Sequence, residues 1–253
     1  MIELSSVTDF VSGSRELTDT DRFWPFRCQI RAVVFDIDGT LTDSIGQIVG
    51  CTREAFAAHS IPVPSEEVIT GMIGMRLNEG LRSILPESFK GDYEAVTATY
   101  RAIFNEHDRY YTPRLFADVE MLLKTLHERG YKIGYASGKS TPGVTRTLQS
   151  TVLGDYCDAF CAGDEVPSKP HTAMMETMAR RLSLPAHQIL GVGDAGMDIV
   201  MYQRAHNVSC AVETGVWSGR AMALLKPNLL IPRATDLGLY LRHCHCPCPC
   251  MQH

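Results

Sequence analysis

The sequence predicts an α/β protein: a doubly wound parallel sheet, with a small all-helical insert directly after the first strand. Three observations carry that prediction. Short apolar runs alternate with helical patterns from residue 118 onward. The first apolar run, 31–36, stands alone ahead of a stretch from 45 to about 110 that reads as helix throughout. Carboxylates, a serine and a lysine collect where the apolar runs end, and open parallel sheets bind ligands at the carboxyl ends of their strands.

The elements follow in order. Residues 1–27 are polar and lack sustained periodicity, so they read as an N-terminal extension that Trp24 and Phe26 could pin to the body. "RAVVFD" (31–36) is the kind of short apolar run found in strands buried on both faces. "GTLTDS" turns the chain, and Asp43 or Ser44 can cap a helix running to about His59. "SIPVPS" breaks it, and helical patterns return near 65–71, 75–85 and 91–108. A helix at 118–129, stopped by Gly130, leads to a strand at 131–136. Then come a helix at 142–150, a strand near 157–161, a helix at 171–182, a strand at 188–192 and a helix from about 196. Strands at 207–211 and 228–231 and a last short helix complete the pattern. The expected division is an extension (1–27), an α/β core (28–44 and 111–242), a helical insert (45–110) and a Cys/His/Pro-rich tail (243–253).

Composition narrows the function. The 253 residues can bury a proper core, and 45% hydrophobic with 21% charged residues is ordinary for a globular protein. A net charge of −5 argues against a nucleic-acid-binding surface. No apolar run reaches the roughly 18–20 residues of a transmembrane helix, so no membrane association is expected. The first residues lack a basic stretch followed by an apolar one, so no signal peptide is expected. Of nine cysteines, five are scattered beside apolar residues without framework spacing, which suits reduced thiols and a cytoplasmic location. The other four lie in the tail "HCHCPCPCMQH", whose CxCxC spacing and prolines favour a disordered segment over a zinc or copper site.

The strand ends carry the chemistry. The first gives Asp36, Asp38 and Thr40; the strand 131–136 is followed by Ser137, Gly138 and Lys139. The loop after 161 gives Lys169, and "GVGDAGMD" gives Asp194 and Asp198. Acids converging in a crevice need a cation, and hard oxygen ligands with substrate phosphate suit Mg²⁺. The expected metal set is therefore Asp36, Asp38, Asp194 and Asp198, with Asp38 contributing its backbone carbonyl. Asp198 acts through a water or by holding Lys169. Asp43 reads as a helix cap or hinge.

"FDIDGTLTDS", Ser137, Lys169-Pro170 and "GVGDAGMD" together resemble the four ordered motifs of the haloacid dehalogenase-like superfamily. The nearest branch is the phosphoglycolate phosphatase-like and β-phosphoglucomutase-like one, with a Rossmann-like core and a helical cap after the first motif. The resemblance covers roughly residues 30–240. It implies that Asp36 is the nucleophile of an aspartyl-phosphate mechanism and Asp38 the general acid/base. It places Thr40, Ser137, Gly138 and Lys169 around the phosphoryl group, with Thr40 also steadying Asp36 and Asp38. In the cap, Arg76 is a candidate for reading the substrate's distal group, against the plainer reading of a structural or surface arginine. Asn78 and Glu79 are weaker cap candidates. The implied activity is Mg²⁺-dependent hydrolysis of a small phosphomonoester.

Two features pull apart. Ser137-Gly138 is nearer the second motif of the mutases, whereas "GDAGMD" follows the GDxxxD of the phosphatases. Asp38 speaks against dehalogenase and phosphonoacetaldehyde hydrolase chemistry, whose enzymes lack that carboxylate. A phosphosugar mutase of the β-phosphoglucomutase type, or a non-catalytic regulatory protein of the same fold, remain as alternatives.

Overall fold

A computed structural model describes residue 26, residues 28–110 and residues 114–241, with side chains at 107–110 excluded. Nearly all of the extension assigned to 1–27, and the whole tail 243–253, lie outside the described residues.

Six strands pair in parallel, in the order β3-β2-β1-β4-β5-β6. They are β1 (Ala32–Phe35), β2 (Lys132–Ser137), β3 (Ala159–Ala162), β4 (Ile189–Gly193), β5 (Val208–Val212) and β6 (Leu229–Ile231). Successive side chains point to opposite faces, so each strand serves two cores. Val33 and Phe35 join Ile133, Tyr135, Leu190 and Val192 on one face; Ala32 and Val34 join Met174, Met178 and Tyr202 on the other. That double burial is why the strands read as unbroken apolar runs rather than alternating ones.

Before β2 the chain forms α1 (Ile45–Ala58), α2 (Glu66–Gly71), α3 (Leu77–Ser83) and α4 (Tyr93–Tyr110). These helices pack on a core of their own, including Val49, Phe56, Ile69, Leu81 and Val96. In α1 the buried positions 48, 49, 51, 52, 55 and 56 follow the helical repeat. Ser65 caps α2 by accepting from the Val68 N–H, with Glu66 and Glu67 in the first turn where the helix dipole favours acids. The helix expected from 75 starts at Leu77, because Arg76 is extended (φ −61°, ψ 133°).

After the insert come α5 (Val119–Glu128), α6 (Thr141–Ser150), α7 (Ala173–Leu182), α8 (Gly196–Arg204), α9 (Gly219–Leu224) and a closing 3₁₀ segment, Ala234–Leu239. The sequence reading omits α9; six residues with one fully buried apolar side chain, Met222, leave no periodic signal. Strand order reverses on either side of β1, which sits between β2 and β4. Phe35 is level with Tyr135 on one neighbour and Val192 on the other. The three strand ends therefore open at one height, at the position where doubly wound sheets place ligands. Among the described residues no helix is long and apolar enough to cross a membrane.

Candidate active site

Asp36 follows directly on β1, and its N–H still donates to the Val192 carbonyl at 2.9 Å, which fixes it against β4. The chain then leaves the sheet in a tight loop: the N–H groups of Leu41 and Thr42 both donate to the Ile37 carbonyl. Gly39 takes φ +80° there, and a Cβ would sit 2.5 Å from Asp194 Oδ2, so only glycine fits. Asp194 comes one residue after β4. Asp198 lies in the first turn of α8, where its Oδ2 accepts the Ala195 N–H at 3.1 Å. Lys169 enters from the loop ahead of α7. Its Nζ is 2.5 Å from Asp36 Oδ1 and 2.7 Å from Asp198 Oδ1. All four side chains are buried.

Three carboxylates with one lysine leave a charge deficit in a dry site. Burial pushes the Asp36 carboxyl up to about 7; Lys169 pulls against that, and Asp198 and Asp38 add to it. Burial likewise raises Asp194 well above the usual carboxylate range, with Asp36 and Asp198 contributing. Burial works against the charge on Lys169, yet Asp198 and Asp36 hold it above the ordinary lysine range. Asp36, Asp194 and Asp198 each offer an oxygen within 4.8 Å of the others'. Asp194 Oδ2 is buried with no hydrogen-bond partner among the described residues. An orphaned buried acceptor costs about 1–3 kcal/mol, more for a charged one. An all-oxygen donor set with surplus negative charge and one unsatisfied oxygen fits a hard divalent cation.

Asp38 points to different partners. Its Oδ1 accepts the Ser44 hydroxyl at 2.5 Å and lies 3.0 Å from Lys139 Nζ. Lys139 in turn stands 4.8 Å from the centre of the Phe104 ring on α4. Asp36 and Asp38 line a cavity of about 610 Å³ between the sheet's end and the helical insert. Gly138 lines it as well, and its Cα face abuts the insert: a Cβ there would meet the Met75 carbonyl at 2.5 Å. Ser137 is buried at the end of β2, its Oγ accepting the Lys139 N–H at 3.2 Å.

A family model for haloacid dehalogenase-like hydrolases matches residues 33–212, which include every one of these groups. The chain belongs to that family. The phosphoglycolate phosphatase of Yersinia pseudotuberculosis serotype I is 30% identical over 215 residues, covering 82% of this chain and 91% of that protein. That of Pectobacterium atrosepticum is 29% identical over 216 residues, with the same coverage, 82% and 91%. Two solved structures share the fold. A predicted phosphoglycolate phosphatase from Haemophilus somnus aligns with TM-score 0.75 at 22% identity, covering 85% of this chain and 99% of that one. A β-phosphoglucomutase from Clostridium difficile aligns with TM-score 0.71 at 19% identity, covering 82% and 93%.

Within this haloacid dehalogenase-like site, some sequence expectations change. Thr40 was expected to steady Asp36 and Asp38 at the phosphate; its hydroxyl instead donates to Asp194 Oδ1 at 2.8 Å. Asp38 was expected to offer the metal its backbone carbonyl and not its side chain, and its carboxylate is not among the three clustered acids. Ser44, expected as a helix cap, makes no side-chain cap bond because its hydroxyl serves Asp38. Asp43 is exposed and lies 3.8 Å from Arg114, away from the site.

Arg76 lines the cavity, but its guanidinium is spent on the core. Nε donates to the Gly163 carbonyl and Nη2 to the Val166 carbonyl, both at 2.6 Å, and its backbone N–H donates to Ser168 Oγ at 3.0 Å. It ties the insert to the loop that carries Lys169. Arg76→Ala should lower kcat/KM by about 10–100-fold on every substrate alike, whatever its distal group, as expected for a lost closure contact. Steady-state kinetics on substrates with and without a distal charge checks this.

Sequence reasoning missed Lys139 as the partner of Asp38, and it missed the loop after β5. Thr214 Oγ1 donates to the Gly39 carbonyl at 2.6 Å, and a Cβ on Gly215 would fall 1.7 Å from Asp194 Oδ2. The only signal in the sequence is "ETG" following an apolar run. Gly215→Ala should displace the Asp194 carboxylate and weaken divalent metal binding about 10–100-fold. Titration calorimetry with Mg²⁺ reads that directly.

Proposed function

We propose that the protein is a Mg²⁺-dependent phosphatase that hydrolyses a small phosphomonoester through an aspartyl-phosphate on Asp36. The observation that carries this reading is the buried Asp36–Lys169–Asp198 chain beside Asp194, opening on a cavity where a second aspartate, Asp38, is held separately. Asp36 is the carboxylate that meets both the cavity and the lysine, so it is the attacking group. Lys169 favours the ionised form of Asp36 against the effect of burial and offers its charge to the incoming phosphoryl oxygens, together with Ser137 and the Gly138 N–H. Asp198 holds Lys169, while Asp36, Asp194 and the Asp38 carbonyl would hold the cation. When bound, Mg²⁺ supplies charge neutralisation between carboxylates and phosphate and polarises the phosphoryl group.

Asp38 is anchored through Oδ1 by Ser44 and Lys139, which leaves Oδ2 to carry the proton. It gives that proton to the leaving alkoxide and later takes one from the water that attacks phosphorus, freeing Asp36. The phosphoglycolate phosphatase relatives support hydrolysis as the reaction. The protein should release phosphate from p-nitrophenyl phosphate in the presence of Mg²⁺. Release should cease with a chelator and return with Mg²⁺ but not with Ca²⁺, whose looser coordination spoils in-line geometry. Isomerisation of a hexose 1-phosphate without phosphate release would replace the phosphatase reading with the mutase one.

A further inference from the structure

We propose that the cavity takes a phosphomonoester whose alcohol part is a bulky apolar, ring-bearing group, and that Met75, Leu77 and Phe104 of the insert form the wall that receives it. This rests on the phosphatase reading and names the substrate class for the same site. Asp36 takes up the phosphoryl group at the strand ends, so the rest of the substrate extends past Asp38 toward the insert. Phe104 of α4 stands nearest that exit. Its ring centre is 4.8 Å from Lys139 Nζ, which lies 3.0 Å from Asp38 Oδ1. Tyr100, one turn earlier on α4, stacks on that ring with centroids 5.8 Å apart and planes 23° apart, which fixes its place. Met75 ahead of α3 and Leu77 at its first position line the same cavity, as does Met72.

The insert's polar side chains lie elsewhere on that wall or are spent. Arg76, the arginine that the sequence pointed to, is tied to two core carbonyls. Arg101 and Asn105 are exposed and mark the mouth of the cavity, whereas Met75, Leu77 and Phe104 are half-buried and Met72 is buried. Thioether, isobutyl and phenyl side chains offer no donor to a carboxylate or a polyol; what they hold, they hold by burying apolar surface. Methionine is unbranched and adaptable, and its sulfur makes favourable contacts with aromatic rings, which suits a ring-bearing guest. Size points the same way. A cavity of about 610 Å³ falls within the roughly 300–1,000 Å³ that holds drug-sized ligands, far more than a phosphorylated two-carbon acid fills.

The test measures kcat/KM on ethyl phosphate, 2-phosphoglycolate, glycerol 3-phosphate, 2-phenylethyl phosphate and 2-(1-naphthyl)ethyl phosphate. An aliphatic alcohol leaves from each, so differences read the fit of the alcohol part and not its ease of departure. The wild type should prefer the two ring-bearing esters to the other three by about tenfold or more, the scale of a few methylene-sized contacts in an apolar pocket. Met75→Gln and Leu77→Gln keep the reach of the side chain and make the wall polar. Each should cut that preference by about tenfold, through KM. Thermal unfolding should show both variants folded. A wild type that favours 2-phosphoglycolate or glycerol 3-phosphate over both ring-bearing esters, or a preference unmoved in both variants, overturns the assignment. Turnover of p-nitrophenyl phosphate alongside either result leaves the phosphatase reading standing. Should no ester turn over, p-nitrophenyl phosphate included, that reading fails by itself. Calorimetric binding of 2-phenylethyl phosphate and ethyl phosphate to the Mg²⁺-loaded protein then still decides the wall. Tighter binding of the first that both variants lose supports it; equal binding, or a difference that both variants keep, overturns it.

Discussion

Asp36→Asn leaves a folded protein whose turnover falls by about 10⁴-fold or more, the scale of loss when the group that forms a covalent intermediate is removed. The amide has nearly the same shape, and the N–H that ties residue 36 to Val192 belongs to the backbone, so strand pairing survives. Lys169 Nζ keeps Asp198 Oδ1 at 2.7 Å as its partner. The variant also removes one of three mutually repelling acids. Its metal-free form should therefore unfold at the same temperature as the wild type or higher, while kcat collapses. Circular dichroism with p-nitrophenyl phosphate kinetics checks both halves. Residual activity within tenfold of the wild type contradicts the assignment of the nucleophile.

Lys169→Met acts on stability as well as on rate. Removing one partner of a buried ion pair costs about 3–5 kcal/mol, because the other charge stays buried and uncompensated. Here two carboxylates, Asp36 and Asp198, lose their shared cation. The pH dependence follows from Asp36, whose carboxyl burial pushes up from the ordinary 3.8 to about 7 in the fold. The folded state therefore holds an extra proton between those values. The stability linked to it is fully present below pH 3.8 and is lost as pH rises through about 7. In metal-free wild type, the melting temperature should fall as pH rises from 5 to 8, and Mg²⁺ should restore most at the upper end. In Lys169→Met that fall should steepen, since Asp36 loses the neighbour that favours its charged form and the folded state holds the extra proton to higher pH. A variant equally destabilised at both pH values would assign the role of Lys169 to packing instead of charge.

The parallel sheet was legible because burial on both faces leaves unbroken apolar runs such as "AVVF" and "ILGVG", each ending in polar residues. Motif order then indicated which strand ends meet, and the register of β1 with β2 and β4 brings them level. What stayed hidden depends on approach between distant segments. Thr40 reaches Asp194 across 154 positions, and Arg76 reaches Gly163 across 87. A threonine between two aspartates gives no sign in the sequence of which carboxylate it serves. Lys139 was visible only as a residue after Ser137-Gly138; its place between Asp38 and Phe104 needs the insert folded over the sheet. Gly215 carries no local signal, because its constraint comes from the Asp194 carboxylate.

The central claim is that Asp36 takes up the phosphoryl group. Mixing the Mg²⁺-loaded enzyme with p-nitrophenyl phosphate, quenching in acid within one turnover, and reading peptide masses tests it most directly. Borohydride reduction before digestion would convert an aspartyl-phosphate into homoserine at the same position. The account predicts phosphorylation, and homoserine after reduction, at Asp36 and nowhere else. Turnover with an unmodified Asp36 peptide, or a phosphoryl group on any other residue, would contradict it.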